Sequence, residues 1–465
     1  MGDSTKNRST AEGSRAESKA SDRPRGFGVM HGNMADFEGG GVANIDLIHR
    51  RAEHLSGSVL FYHDPVWLVR GEGVWMFDQN GKRYLDCYNN VPSVGHCNPR
   101  VFKALSDQAQ VLNTHTRYLH ESVIDYAEQL AATFPDPLNL CLFVCTGTEA
   151  NELAMRIART VTGNNGAIVM EYAYHGNSTL ISELSTAGSR KEHRPEHVVA
   201  VEPPNCYRGP FADDPQAGAH YADLIDEAIS VLAQRGQGTA AFMCDTMFDS
   251  QGGLEAPQDY FSKVYEKVHA AGGLCIADEV QPGFARTGKM WGFEHYNVVP
   301  DIVTLGKPMG NGHPLAGVVT SREIAERFSQ SSFYFNTFGG NPVSAAVGKA
   351  VLDEIAERQL PEHVADVGGY LRLRLEDLAQ KHSVIGNVHG LGLYQALDLV
   401  TDRATKDPAS ELASKIPDAL KAEGVLIGLS GRFGNVLKIR PPLVFDRNNV
   451  DQLIESLDLV LSRLS

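Results

Sequence analysis

The sequence predicts an α/β protein in which a large domain built on a mainly parallel sheet carries a smaller α+β domain assembled from both chain ends. Three observations lead there. The chain has 465 residues, more than one hydrophobic core usually serves, so two domains sharing a site are expected. From 105 to 335 short apolar runs alternate with helix-forming stretches, the rhythm of strand–helix–strand units. The flanking segments, 43–104 and 336–465, are left to form the small domain, and the second of them ends in a helical pattern.

Taken in order, residues 1–42 are rich in Ser, Arg, Glu, Lys and Gly with hardly any large apolar side chain before Phe27, and they read as a disordered tail. Asp3, Glu12, Glu17 and Asp22 among the arginines disfavour a mitochondrial transit peptide. Lys6 stands where a myristoylation signal beginning at Gly2 wants Ser or Thr. No apolar run is long enough for a membrane helix or signal peptide, so a cytoplasmic protein without a membrane partner is expected. Apolar runs at Cys141–Thr146, Ala167–Met170, Leu274–Ala277 and Ile302–Gly306 are the strand candidates. The stretch from Ala150 through Arg159 has helix-forming composition, and Val450–Leu464 repeats apolar residues at Leu453, Ile454, Leu457, Val460 and Leu461. Seven scattered cysteines, several in apolar runs, point to core use in a reducing compartment, and the Cys141–Cys145 spacing lacks the further ligands of a zinc site. No metal is expected. A net charge of −15 argues against nucleic acid as a partner.

The chemistry collects at strand ends. Leu274–Ala277 runs into Asp278, and Ile302–Gly306 runs into Lys307. In an open α/β sheet that edge is where ligands bind, so an acid and an amine delivered there can face one small molecule. Apolar surroundings lower a lysine's pKa and leave its amine free to attack a carbonyl. Singly, the two residues also read as a surface lysine and a helix-capping acid. Gly147 and Thr148 open a helix after Thr146, where unsatisfied N–H groups and the helix dipole favour a phosphate, although an ordinary N-cap looks the same. Tyr174-His175-Gly176 follows a strand end, where an aromatic ring can lie on another ring or simply pack in a turn. Phe335-Asn336-Thr337-Phe338-Gly339-Gly340-Asn341-Pro342 is a Gly-rich turn carrying a hydroxyl. Amine, acid, phosphate cradle and ring cover are together what pyridoxal phosphate asks of a protein.

The stretches around Thr146, Tyr174, Asp278, Lys307 and Thr337, in this order, resemble the class III aminotransferases, fold type I pyridoxal phosphate enzymes. Thr287-Gly288-Lys289-Met290-Trp291-Gly292-Phe293 and Asp78-Gln79-Asn80-Gly81-Lys82-Arg83-Tyr84 fit the same pattern, and the resemblance runs from about residue 45 to the end. It implies Lys307 as the Schiff-base lysine and Asp278 on the ring nitrogen. Thr146, Gly147 and Thr148, with Thr337 from a neighbouring subunit, would bind phosphate, and Tyr174 beside His175 would stack. Val280 would pack the opposite ring face, with Gln281 near the ring hydroxyl. A homodimer with shared sites is implied, alone or within a tetramer.

Two departures bear on the reaction. Amino-acid transaminases of this class usually carry an Arg three positions before a late Pro-Pro pair, where its planar fork grips the substrate carboxylate. Here that place is Lys438, a point charge and a poorer clamp, unless Arg440 serves instead. The Glu-Pro motif that commonly supplies the Arg's partner reads Asp245-Thr246. Other stretches, Asn89–Pro99, Val111–His120, Tyr207–Pro210 and Asn311–Pro314, are similar to the ethanolamine-phosphate and phosphohydroxylysine phospho-lyases, which share the scaffold but eliminate phosphate. The preferred expectation is therefore elimination of phosphate from a small phosphorylated amine, phosphoethanolamine ahead of phosphohydroxylysine. Arg117 is nominated for the leaving phosphate, against a salt bridge on a helix face, with Asn89, His313, Arg440 and Lys438 as further candidates. An amine or amino-acid transaminase is the runner-up, and a non-enzymatic cofactor carrier is the third reading.

Overall fold

The computed structural model describes residues 44–55, 60–187 and 191–464; the expected tail at 1–42 lies outside them. After helix α1 (Ile45–His54), strands β1 (Leu68–Glu72), β2 (Trp75–Asp78) and β3 (Arg83–Asp86) form an antiparallel meander. Asn98 caps α2 (Pro99–Val111) by accepting from Arg100 and Val101 N–H, and Pro99 sits at the first helical position, where its missing N–H costs nothing. Helix α3 (Glu121–Ala131) leads into β4 (Leu138–Val144).

The central sheet follows. After β4 the chain alternates through α4 (Gly147–Thr162), β5 (Gly166–Met170), α5 (Thr179–Leu184), β6 (Val198–Val201), α6 (Ala217–Gln234) and β7 (Thr239–Cys244). It continues through α7 (Tyr260–Ala270), β8 (Leu274–Asp278), β9 (Ile302–Leu305) and β10 (Ala316–Ser321). The seven strands lie in the order β4-β10-β9-β8-β7-β5-β6, with only β10 running against the rest. Strands β5, β7, β9 and β10 are buried at every position, which is why they read as unbroken apolar runs instead of alternating ones.

Helices α8 (Arg322–Ser331), α9 (Pro342–Glu357) and α10 (Leu360–Lys381) lead to a second antiparallel sheet. It uses β11 (Ile385–Leu391), β12 (Tyr394–Asp402), β15 (Gly428–Ser430) and β16 (Val436–Ile439), with the short β13 (Asp407–Pro408) beside β12. Helix α11 (Ser410–Ala422) precedes β14 (Val425–Leu426), which pairs in parallel with β3, so one sheet joins the two ends of the chain. The expected last helix is α12 (Arg447–Leu464); all five apolar residues that foretold it are buried, together with Val450. The architecture is the expected α/β class, a mainly parallel sheet carrying smaller sheets from both chain ends.

The strand expected to end at Thr146 ends at Val144, because the Glu149 carboxylate takes the N–H groups of Cys145 and Thr146 at 2.9 Å each and turns the chain into α4. Cys145 thus falls just beyond the strand that holds Cys141. Among the described residues no helix is long and apolar enough to cross a membrane.

Candidate active site

A cavity of about 480 Å³ opens where the C-terminal ends of β4, β5, β7, β8 and β9 converge. Each strand end delivers one part of the site.

Asp278, the last residue of β8, is 4% exposed. Its Oδ2 accepts from His175 Nδ1 at 2.7 Å and from Asn151 Nδ2 at 2.9 Å, and its Oδ1 accepts from Val280 N–H at 3.1 Å. The carboxylate assigns the proton of His175 to Nδ1. Asn151, on α4, is held in turn by Thr304 Oγ1, which donates to its Oδ1 at 2.7 Å. Lys307 follows β9 with φ of 28°, a left-handed conformation that a side-chain-bearing residue keeps only where its surroundings over-determine it. Burial holds its amine below the ordinary lysine range, opposed by the carboxylates of Asp249 and Asp278.

Thr146 caps α4: its Oγ1 accepts Glu149 N–H at 3.1 Å while Glu149 reaches back to Thr146 N–H. The next two amides, of Gly147 and Thr148, have no partner within the helix and lie at the cavity wall. A Cβ on Gly147 would come within 3.1 Å of Val280, and one on Gly176, at φ 145°, within 2.6 Å of Thr148 Oγ1. Glycine at both places therefore lets backbone close around a small group. Tyr174 lines the mouth and keeps its ring partly exposed.

The far wall is ionic. Lys438 and Arg440 project from the end of β16, and both are nine-tenths buried. Lys438 Nζ donates to Asp249 Oδ2 at 3.0 Å, and Arg440 Nη1 donates to Asp249 Oδ1 at 3.1 Å and to Gln281 Oε1 at 2.5 Å. Burial and then Arg440 push the Lys438 amine down to about 8, against the pull of Asp249. Burial alone would raise the Asp249 carboxyl, but Lys438 and Arg440 overrule it and hold that carboxyl well below the usual range. Asp245 accepts from the backbone N–H groups of Met247 at 2.8 Å and Asp249 at 3.0 Å, and burial, with Asp249 and Asp278, pushes it up to about 7.

The cavity thus brings together the expected cofactor residues Thr146, Gly147, Thr148, Tyr174, His175, Asp278, Val280, Gln281 and Lys307, and Asn89, Lys438 and Arg440 of the phosphate candidates. Three expected residues are not part of it within one chain. Arg117 sits in a turn, not on a helix face, with its guanidinium 4.0 Å from the centre of the Phe335 ring. His313 meets Ser344 Oγ at 2.9 Å, and Thr337 is exposed on the surface. Asp249, Asn151 and Thr304 were not foreseen. The strand-end rule that marks Asp278 could have marked Asp245, but Asp249 lies in a turn, and nothing local ties it to Lys438.

These residues fit pyridoxal phosphate: a depressed amine at the floor, a carboxylate fixed by three donors, two free helix amides and two glycines that allow close approach. A model of the family described as Aminotransferase class-III matches residues 61–461. A Drosophila melanogaster relative named alanine–glyoxylate aminotransferase 2-like is 41% identical over 425 residues, covering 89% of this chain and 86% of that one. A Caenorhabditis elegans relative named ethanolamine-phosphate phospho-lyase homolog 1 is 37% identical over 440 residues, covering 90% and 94%. A solved phospholyase from Arthrobacter in complex with phosphoethanolamine superposes with a TM-score of 0.88 at 43% identity, covering 90% of this chain and all of that one. The chain belongs to the class III aminotransferase family, and its cofactor is pyridoxal phosphate.

Proposed function

We propose that the protein is a phospho-lyase that converts O-phosphoethanolamine and water to acetaldehyde, ammonia and inorganic phosphate. The observation that carries this reading is the ionic wall. Lys438 and Arg440 share one carboxylate, Asp249, which leaves a surplus positive charge inside a chain of net charge −15. A phosphate dianion is the substrate group that such a surplus attracts most, and a buried setting strengthens the attraction.

Lys307, Asp278, Gly147, Thr148, Tyr174, Val280 and Gln281 would hold the cofactor. When bound, pyridoxal phosphate supplies an electron sink for the carbon that carries the substrate nitrogen. Lys307 Nζ, kept basic but easily deprotonated by burial, takes the proton from that carbon. The electron pair released there forms a C–C double bond as the C–O bond to phosphate breaks, and Lys438 Nζ and Arg440 Nη1 neutralise the charge that develops on the departing oxygen. The terminal carbon then gains the proton that Lys307 Nζ took, and water replaces nitrogen, giving acetaldehyde and ammonia. We further propose a homodimer in which Thr337 serves the neighbouring site, in keeping with its position outside the cavity of its own chain.

The second reading, an aminotransferase, is favoured by the 41% identity to the aminotransferase-named Drosophila relative. One assay separates them: phosphate and ammonia release from phosphoethanolamine by the cofactor-loaded protein, with and without pyruvate. Equimolar release that ignores pyruvate is expected. No release, with alanine formed from pyruvate and an amine, would replace the lyase with the transaminase.

A further inference from the structure

We infer that Asp249 determines substrate specificity: it fills, with the protein's own carboxylate, the cation pair that the carboxylate of an amino acid or keto acid would need. The inference rests on the proposed reading that the Lys438–Arg440 wall receives the anionic end of the substrate.

The geometry leaves Asp249 little freedom. Its Oδ1 accepts from Arg440 Nη1 and from the Tyr394 hydroxyl, and its Oδ2 accepts from Lys438 Nζ at 3.0 Å and Gln281 Nε2 at 3.2 Å. Four donors use the acceptor sites of one carboxylate. The backbone is pinned as well: Asp249 N–H donates to Asp245 Oδ2 at 3.0 Å, and Asp249 O accepts from Ser430 Oγ at 2.7 Å. With the backbone held, the carboxylate can swing aside only by giving up all four of its donors.

Arg440 is equally fixed. Its guanidinium carbon lies 5.0 Å from the Tyr88 ring centre and 5.8 Å from that of Tyr394, and Gln281 takes a second bond from Nη1. A planar carboxylate that took Arg440 Nη1 and Lys438 Nζ together as its fork would have to displace Asp249, which bridges them, and leave it buried beside a like charge. A phosphate ester need not take that fork: its dianion gains twice the Coulomb attraction of a monoanion from the surplus charge and can approach from the cavity side. Asp249 therefore turns away carboxylate-bearing amines and acceptors more than phosphorylated ones.

The test uses the full-length, pyridoxal phosphate-loaded protein with propionate and inorganic phosphate as probes. Calorimetry gives each dissociation constant, and the cofactor absorption spectrum checks that loading is intact. In the wild-type protein phosphate is expected to bind at least tenfold more tightly than propionate. In Asp249→Asn, which keeps the size and loses the charge, propionate affinity is expected to rise at least tenfold. Equal propionate affinity in a loaded, folded Asp249→Asn protein would overturn the inference. Wild-type protein that binds propionate as tightly as phosphate would overturn it too, and that arm does not depend on the variant folding. If wild-type protein releases no phosphate from phosphoethanolamine while Asp249→Asn gains propionate, the lyase reading fails and the role of Asp249 stands.

Discussion

Because burial and Arg440 push its amine down to about 8, Lys438 loses its charge within the pH range where the enzyme would be assayed. Below that pH the wall carries its full surplus; as pH rises through 8 the surplus disappears. Asp245, pushed up to about 7, adds a negative charge to the same cavity as pH rises through its own range, so both groups act in one direction. The KM for phosphoethanolamine is therefore expected to climb, and kcat to fall, between about pH 7 and 8.5 in steady-state assays of phosphate release. Lys438→Met should raise KM roughly tenfold to a hundredfold at pH 7, from the loss of one charge-assisted hydrogen bond of about 1.5–3 kcal/mol, and should flatten the upper part of the profile. Lys307 and Asp278 were legible in the sequence because an amine or acid directly after an apolar run stands out. Asp249 was not, since its partner Lys438 lies 189 residues away and only the folded chain brings them together.

Between β8 and the short 3-10 turn Gly292–Tyr296, one side chain does the joining. Glu279 accepts from Gly292 N–H at 2.7 Å, Phe293 N–H at 3.0 Å and Thr246 Oγ1 at 3.1 Å. Asp278 is its neighbour, so the same staple steadies the site. Glu279→Ala would orphan buried donors and is expected to cost about 3 kcal/mol or more, read as a lower midpoint in urea unfolding with an unchanged slope. At this scale the sequence located elements better than it bounded them. Apolar spacing places the last helix from Val450, yet α12 begins at Arg447, where Asp446 and Asn449 exchange bonds between side chain and backbone at 2.8 and 3.0 Å. Apolar periodicity does not register a polar first turn. Strands of two to four residues, such as β14 and β16, carry too few apolar positions to show any period.

Across the whole molecule, large apolar side chains gather on the surface near Thr337: Phe333 is 80% exposed and Phe338 70%, and Leu119, close in sequence to the Arg117 that stacks on Phe335, is 96% exposed. A protein that left such a patch in water would associate through it. Sedimentation is expected to give twice the chain mass for the wild-type protein. Phe338→Asp should shift it to the chain mass and reduce phosphate release, because Thr337 would no longer reach a neighbouring site. Wild-type protein that sediments at the chain mass and is fully active would exclude the shared site.

The parallel pairing of Leu85 and Asp86 with Val425 and Leu426 sets a schedule for synthesis. The edge of β3 has no strand to pair with until the ribosome has added 426 − 86 = 340 further residues. At about 5–20 residues per second that is a wait of roughly twenty to seventy seconds, during which an open strand edge is exposed to other nascent chains. The sheet begun first thus closes only near the end of synthesis, shortly before β15 and β16 complete the second antiparallel sheet, and yield of active protein should respond to chaperones that shield the early segment during translation.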